Sequence, residues 1–300
     1  MSTVRSLVTA AALCAVVAQP AAAQDRKLVA RGKYLVEGPV ACGNCHTQRG
    51  ADFRSLKKGV LAGGHPFVEP GVFESFSRNI TPDKDTGIGT WTDAQIIRAI
   101  REGVSKEGET LGPPMPFYMY NRMADDDVKA IVAYLRTVKP VHNEVKASTF
   151  KIPLKPEPAA KGLPAPPKTD KVAYGEYIAT ALAHCLDCHT PMVGPVSDQA
   201  NQKGAGGLEI QVGPVTLRTR NITPDKETGI GTWSDAEIKR AITQGVAKDG
   251  RKLIPLMPFP YFKNMTTEDL DALVAYLRTL KPVNKKIEPN PTLQSLMAKK

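Results

Sequence analysis

Internal duplication limits the folds open to this chain more than any other feature of its sequence. The stretch NITPDKDTGIGTW at residues 79–91 returns as NITPDKETGIGTW at residues 221–233, with one aspartate replaced by glutamate. Three other segments recur at nearly the same offset: GKYLVEGPVACGNCH at 32–46, MPF at 115–117 and AIVAYLRTVKPV at 130–141. Because this period is far longer than the roughly 20–50 residues of a solenoid repeat, the sequence predicts a duplicated domain.

The duplication divides the chain into a leader, two domains, a linker and a tail. We place the domains at residues 24–140 and 169–285, called the first and second repeat below. The linker, residues 141–168, contains six prolines from position 153 onward. These resist helix and favour extended polyproline geometry. The tail is predicted to cover residues 286–300.

The first 23 residues have the pattern of an export signal. Arg5 precedes an apolar run that is short for a bilayer span, and Ala21–Ala23 offers a small-residue cleavage site. We therefore predict a signal peptide over residues 1–23, a mature chain that begins at Gln24, and a periplasmic, bacterial location. A lipoprotein anchored at Cys14 is the alternative, which the preceding Ala-Ala-Leu suits poorly. No later apolar run reaches the length of about 18 residues that predicts a transmembrane helix.

The basic charge suits a docking surface better than a nucleic-acid-binding surface. Lysine and arginine number 40 against 30 acidic residues, for a net charge of +10. The basic residues are scattered, and an exported chain does not meet nucleic acid. Such a surface fits an acidic protein partner or an anionic lipid surface, and it can speed association with either. Peripheral association with a membrane is therefore compatible with the sequence.

Each repeat is predicted to be mostly α-helical. Capping boxes begin a helix just after each tryptophan, at residues 92–95 and 234–237. A last helix is predicted to begin near Asp125 and again near Thr267, and to end before a proline. A first helix and a small hairpin complete each unit. These helices alone make a thin core, so we expect another group to fill the middle.

That group is indicated by two C-x-x-C-H motifs, Cys42-Gly-Asn-Cys45-His46 and Cys185-Leu-Asp-Cys188-His189. Two thiols at this spacing form thioethers with the vinyl groups on one edge of a porphyrin, and the adjacent histidine lies under the iron. We therefore predict two covalently bound haem c groups, with His46 and His189 as axial ligands. Disulfides, a zinc site and a thioredoxin-like pair are the alternatives. A zinc site would need further ligands, and a thioredoxin-like pair would need a βαβ setting.

Two recurrent methionine pairs compete for the sixth position on iron. Met115 and Met257 lie in the loops GPPMPF and IPLMPF, whose prolines hold the chain extended and remove backbone donors. Met123 and Met265 instead match the hydrophobic staple that precedes a helix. We therefore predict Met115 and Met257 as the ligands opposite the histidines. Such His/Met ligation raises the haem potential.

These motifs resemble class I cytochrome c domains, and more closely the cytochrome subunits of bacterial periplasmic dehydrogenases that oxidise alcohols, aldehydes or sugar acids. The resemblance rests on C-x-x-C-H, N-I-T-P-D-x-x-T-G-I-G-x-W, M-P-F and A-Y-L-R-T. It implies two tandem, mostly α cytochrome c domains, each folded around a covalent haem and joined by the proline-rich linker. Many such subunits carry three haem domains and a membrane-anchoring final helix. Two domains and the ending PTLQSLMAKK favour a soluble carrier or a peripheral subunit.

The recurrent thirteen-residue stretch is predicted to close one edge of each haem. We expect four of its side chains to contact haem propionates: Asn79, Trp91, Asn221 and Trp233. The indole N–H suits this contact because it only donates. The alternative is structural, with packed tryptophans and turn-forming glycines. A calcium loop at residues 83–85 is disfavoured because its bidentate glutamate is missing.

Two His/Met haems in tandem predict an electron-transfer protein that performs no bond chemistry of its own. We expect it to take electrons from a periplasmic dehydrogenase and to deliver them to a terminal oxidase or a small cytochrome. The alternative is an enzyme, a dihaem peroxidase, which also carries two C-x-x-C-H motifs in a chain of similar length. That enzyme needs an iron that is open or can open, and usually distinct halves. Here the halves are near copies, and both keep M-P-F.

Overall fold

The computed structural model describes residues 15–50, 55–194, 196–212 and 215–291. Most of the predicted signal peptide, residues 1–14, lies outside the described residues, as do residues 292–300 of the predicted tail. Residues 15–23 form the start of the first helix. Among the described residues, no helix is both long enough and apolar enough to cross a membrane.

The described residues fold mostly into helices, which follow the same order in both repeats. The first five are α1 (Ala15–Glu37), α2 (Cys42–His46), α3 (Asp93–Glu102), α4 (Phe117–Tyr120) and α5 (Asp125–Leu135). The second five are α6 (Lys171–Tyr177), α7 (Cys185–Cys188), α8 (Asp235–Gln244), α9 (Phe259–Phe262) and α10 (Thr267–Thr279). This order confirms the predicted duplicated, mostly helical unit.

In the described part of the chain, short antiparallel strands form three small sheets beside the helices. The first sheet contains β1 (Pro66–Glu69), β2 (Phe73–Phe76) and β3 (Thr149–Phe150). The others pair β4 (Met192–Val193) with β5 (Val196–Ser197), and β6 (Glu209–Val212) with β7 (Val215–Arg218). The β1–β2 and β6–β7 pairs are the predicted hairpins, one in each repeat.

The core of each repeat is the crossing of its first and last helices. A Cβ added to Gly32 in α1 would lie 1.8 Å from the carbonyl oxygen of Ala130 in α5. In the second repeat, a Cβ on Gly175 in α6 would lie 1.9 Å from that of Ala272 in α10. Only glycine allows the helices to approach this closely. Apolar side chains fill the space around the crossings: Leu35, Val36, Val128, Ile131, Val132, Ile178, Leu182, Leu273 and Val274.

The helices that follow the tryptophans begin as their sequences predict. The Thr92 hydroxyl accepts from the Gln95 N–H, and the Gln95 side chain accepts from the Thr92 N–H. Ser234 and Glu237 form the same box in the second repeat. The last helices also begin as predicted, at Asp125 and Thr267. Local sequence therefore determines where these helices start.

The end of the first helix is alike in both repeats, although the sequences there differ. The Val40 N–H donates to the Leu35 carbonyl at 2.9 Å, and the Ala183 N–H donates to the Ile178 carbonyl at 2.7 Å. Both bonds span five residues, which is the spacing of a π-helical turn. The widened turn leads directly into the C-x-x-C-H motif of each repeat.

Most of the segment 141–168 lies along the first repeat, and Lys168 at its end bonds to Asp269 of the second repeat. β3 pairs with β2, and the Leu163 carbonyl accepts from the Asp125 N–H at 3.0 Å. The Gly162 N–H donates to the Asp125 carboxylate at 3.0 Å. Apart from the two residues of β3, the described part of this segment contains no helix or strand. Its role as a linker, and the domain boundaries on either side, stay predictions.

Candidate functional site

The two C-x-x-C-H motifs form short helical turns, α2 and α7. The residue before each turn has left-handed backbone, Ala41 with φ 52° and His184 with φ 40°. Non-glycine residues rarely adopt this conformation, and it is often found near functional sites. A helical turn places residues i and i+3 on one face. The four cysteines are free thiols, and each motif therefore presents two of them together.

Burial raises the pKa of all four thiols, to about 12 for Cys42 and for Cys185. The repeats differ at the second cysteine of the motif. Burial raises the pKa of Cys45 and the nearby Arg49 opposes this, whereas Asp187 adds to the rise in the pKa of Cys188. The thiols are therefore neutral near pH 7, and the two motifs have different electrostatic surroundings.

The motif histidines are held in one tautomer. His46 Nδ1 lies 2.7 Å from the carbonyl oxygen of Arg78, and His189 Nδ1 lies 2.7 Å from that of Arg220. A carbonyl can only accept, so each Nδ1 carries the hydrogen and each Nε2 keeps its lone pair. Burial lowers the pKa of both imidazoles, more than these hydrogen bonds raise it. The result is a neutral histidine with Nε2 free, the form that binds a metal.

The two methionine pairs have different surroundings. Met123 is 0 % exposed and Met265 is 6 % exposed, which agrees with a packing role before the last helix. Met115 and Met257 are partly buried against the core, as are Trp91 and Trp233. The backbone carbonyl oxygens of Met115 and Met257 accept hydrogen bonds from the first N–H of α4 and of α9. The pairing of these two sulfur atoms with iron stays a prediction.

Asn79 and Asn221 hold loops together in this structure, and their contact with propionates stays a prediction. Asn79 is 3 % exposed, and its Oδ1 accepts from the N–H and the hydroxyl of Thr81 at 3.0 and 2.8 Å. Its Nδ2 donates to the Thr86 hydroxyl at 3.0 Å and to the Val141 carbonyl at 2.8 Å. Asn221 makes the same four bonds in the second repeat. Every polar atom of these amides is thus already paired.

The tryptophans remain candidates for propionate contact. Within the described ranges, no residue accepts from the indole N–H of Trp91 or Trp233. Their backbone carbonyls accept from Arg136 and from Arg278 Nη2, the latter at 2.6 Å. These arginines are the fourth residue of the recurrent A-Y-L-R-T. The recurrence of these arginines is a sequence signal for their contact with the tryptophan carbonyls.

Two buried carboxylates join the repeats. Tyr34 of α1 donates to Asp269 of α10 at 2.6 Å, and Tyr177 of α6 donates to Asp127 of α5 at 2.8 Å. The tyrosines occupy matching positions in the duplicated sequence, and so do the aspartates. The exposed fraction is 5 % for Asp127 and 0 % for Asp269. Each carboxylate also bonds to a cation, Asp127 to Arg31 and Asp269 to Lys168.

The motif of each repeat also contacts the segment after the M-P-F loop of the other repeat. Tyr118 of α4 donates to Asp187 of α7. Tyr261 of α9 packs on α2, where a Cβ added to Gly43 would lie 2.4 Å from the tyrosine oxygen. The rings of Tyr120 and His184 are 5.8 Å apart. The two motifs therefore lie at one shared interface.

Paired thiols on one turn and a neutral histidine with free Nε2 are the donor set for covalent haem. The residues of both repeats fit this group, because no other described residue uses these sulfur atoms or Nε2 atoms. A recurrent thioether, in Met115 and Met257, completes the set. Fold and site together define the class of c-type cytochromes.

Comparison with known families gives the same result. The family model described as cytochrome c matches residues 29–139 and 172–281, one match in each repeat. The chain belongs to the cytochrome c family.

Three relatives are named as a cytochrome or a cytochrome subunit. The chain is 31 % identical over 274 residues to the fructose dehydrogenase cytochrome subunit of Gluconobacter japonicus, covering 86 % of this chain and 54 % of that protein. It is 31 % identical over 272 residues to the gluconate 2-dehydrogenase cytochrome c subunit of Pantoea cypripedii, covering 84 % and 59 %. A dihaem cytochrome c-type protein of Cereibacter sphaeroides is 28 % identical over 256 residues, covering 79 % and 81 %. The chain thus spans little more than half the length of the first two relatives.

Proposed function

We propose that this chain is an electron-transfer protein with one covalent haem c in each repeat. One observation carries the proposal: the complete donor set occurs twice, with the same Nδ1 hydrogen bond fixing the histidine each time. Cys42, Cys45, Cys185 and Cys188 form the thioether bonds. His46 and Met115 are the axial ligands of the first haem, and His189 and Met257 are those of the second.

Bound haem supplies an iron that takes up and gives back one electron. The protein orients the imidazoles through the Arg78 and Arg220 carbonyls, which also increases their basicity as ligands. Met115 and Met257 would complete the ligand set and raise the potential of the bound haem. With no ligand position left for a substrate, the chain would carry electrons without making or breaking bonds.

The relatives' names support a dehydrogenase as the electron donor. The fructose and gluconate dehydrogenases among the relatives each have a cytochrome subunit that resembles this chain. We propose that a dehydrogenase in the periplasm reduces this cytochrome, which passes electrons to a terminal oxidase or a small cytochrome. The net charge of +10 favours acidic partner surfaces. N-terminal sequencing of the exported protein should begin at Gln24.

Haem content and carbon monoxide binding test the proposal on protein exported through a haem-attaching pathway. The pyridine haemochrome should give two haems per chain, and the reduced protein should bind no carbon monoxide. Met115→Ala and Met257→Ala should each create one carbon monoxide site, because each removes one axial sulfur. Met123→Ala is the matched control, because it removes a buried methionine with a packing role. A wild-type protein that binds carbon monoxide readily at one haem would support the peroxidase alternative instead.

A further inference from the structure

We infer that the haem of the first repeat has a higher reduction potential than the haem of the second. The first repeat therefore accepts electrons from the second. The inference rests on the proposed function and adds the direction of electron flow between the repeats. It comes from charged residues that differ between otherwise matching positions. Two such positions lie at the C-x-x-C-H motifs.

The first difference lies inside the motif itself. The residue before the second cysteine is Asn44 in the first repeat and Asp187 in the second. Asp187 accepts a hydrogen bond from Tyr118, and a neutral hydroxyl leaves the negative charge in place. A negative charge near iron stabilises the ferric form, because that form has one more positive charge. Asp187 therefore lowers the potential of its own haem relative to a site with asparagine.

The second difference lies a few residues beyond the motif. Arg49 donates to the Asn44 carbonyl from Nε at 2.9 Å and from Nη2 at 2.5 Å, which holds the guanidinium against the first motif. The matching residue in the second repeat is Met192, which is uncharged. A positive charge favours the ferrous form, so Arg49 raises the potential of the first haem.

Both differences lie at the motifs themselves and act in the same direction. Farther along each repeat, Arg251 acts on Arg220 where the first repeat has Glu109, and this difference acts the other way. Arg78 and Arg220 occupy matching positions beside the two histidines. When the protein carries one electron on its two haems, that electron therefore resides mainly in the first repeat. With haem bound to both motifs, an electron given up by the second site would be taken up by the first, with no proton or ligand exchanged. Because Tyr118 of the first repeat touches the second motif, this exchange crosses the shared interface.

A spectroelectrochemical titration of the intact dihaem protein tests the inference. The wild type should show two one-electron steps. Asp187→Asn should raise the lower potential, and Asn44→Asp should lower the higher one. Arg49→Met should also lower the higher potential, whereas Arg49→Lys should largely restore it. We expect each charge change to alter the equilibrium between the two sites about tenfold, which corresponds to ~59 mV for one electron.

The same titration includes a control variant, and several of its outcomes would contradict the inference. Asp126→Asn removes an exposed carboxylate on α5 and should leave both potentials unchanged. The inference fails if the two one-electron steps coincide. It also fails if Asp187→Asn raises the higher potential, or if this variant changes neither potential. Should Arg49→Met not fold, the Asp187 and Asn44 variants still decide the result. Haem content and carbon monoxide binding, measured on the same samples, show separately whether the proposed function holds.

Discussion

At the scale of single residues, Asn79 shows how a recurrent polar side chain can serve the fold. Its amide bonds to two threonines within its own loop and to the Val141 carbonyl beyond the last helix. The loop is thereby tied to the chain that leaves α5. A buried amide with four bonds is difficult to replace, because any substitution leaves buried partners without bonds. This explains recurrence without any contact to haem.

Replacing Asn79 with alanine should therefore destabilise the protein without changing its redox properties. We expect a loss of about 3 kcal/mol in the free energy of unfolding, because several buried groups lose their partners. Urea unfolding of the holoprotein measures this loss. Asn201→Ala, at an exposed asparagine, should change it by less than about 0.5 kcal/mol. A shifted haem potential with little loss of stability would instead support the predicted propionate contact.

His65 provides a prediction about pH. Burial, and to a lesser extent the neighbouring Arg49, lowers the pKa of His65 to about 4. The folded protein thus holds the neutral ring, while the unfolded chain takes up a proton below pH ~6.5. Stability from this residue is present above that pH and is lost as the pH falls toward 4. Below pH 4 no further loss comes from this residue.

His65→Gln should remove this part of the pH dependence. Allowing for the partial exposure of the ring, we expect the wild type to lose about 1–2 kcal/mol more than the variant between pH 6.5 and 4. Urea unfolding curves of both holoproteins across this range give the comparison. Parallel pH profiles would show that His65 titrates normally in the folded protein.

At the scale of helices, the crossing of the first and last helix organises each repeat. Gly32 and Gly175 bring the backbones into contact, and the apolar residues beside them fill the space on either side. The interaxial distance of such a pair depends on the side chains at the contact point. A larger residue there must push the helices apart and loosen the packing of the whole repeat.

Gly32→Ala should therefore cost far more than the change in helix propensity suggests. Alanine favours helix over glycine, but its Cβ would meet the Ala130 carbonyl at 1.8 Å. We expect a net loss of about 3 kcal/mol, measured by thermal or urea unfolding of the holoprotein. Gly71→Ala is the control: nothing lies within 4 Å of its added Cβ, so only backbone strain of about 1 kcal/mol arises. Equal losses in the two variants would contradict close packing at the crossing.

At the scale of the whole molecule, the two repeats associate like two subunits of a symmetric dimer. Each first helix sends a tyrosine to the buried aspartate of the opposite last helix. The backbone N–H groups of Ala124 and Thr266 donate to these tyrosine oxygens at 3.0 and 3.3 Å. Such reciprocal contacts are typical of an isologous interface. They hold the two C-x-x-C-H motifs at fixed positions relative to one another.

The interface should make the repeats unfold together. Tyr34→Phe and Tyr177→Phe each remove a hydrogen bond to a buried carboxylate, which we expect to cost about 2 kcal/mol. In the double variant the single thermal transition of the wild type should separate into two. Tyr134→Phe is the control, because its bond to Glu37 lies within the first repeat. Two separate transitions in the wild type would show that the repeats are thermodynamically independent.

The sequence by itself determined the features that depend on neighbouring residues. The capping boxes at Thr92 and Ser234 and the starts of the last helices follow from local hydrogen bonding, and the structure confirms them. The C-x-x-C-H motifs are themselves short, and the duplication is visible in short segments that match between the repeats. Together they were sufficient to predict the helical class, the family and the thioether-forming cysteines, although the attachment itself stays a prediction.

Only the tertiary structure decided what joins residues far apart in the chain. The role of Asn79 depends on a carbonyl 62 positions away, and the Tyr34–Asp269 contact spans 235 positions. No pattern in the sequence specifies such pairs, because they depend on how loops and helices pack within each repeat and between the two repeats. The meeting of the two motifs at one interface is decided in the same way, since burial and shape select it after the helices have formed.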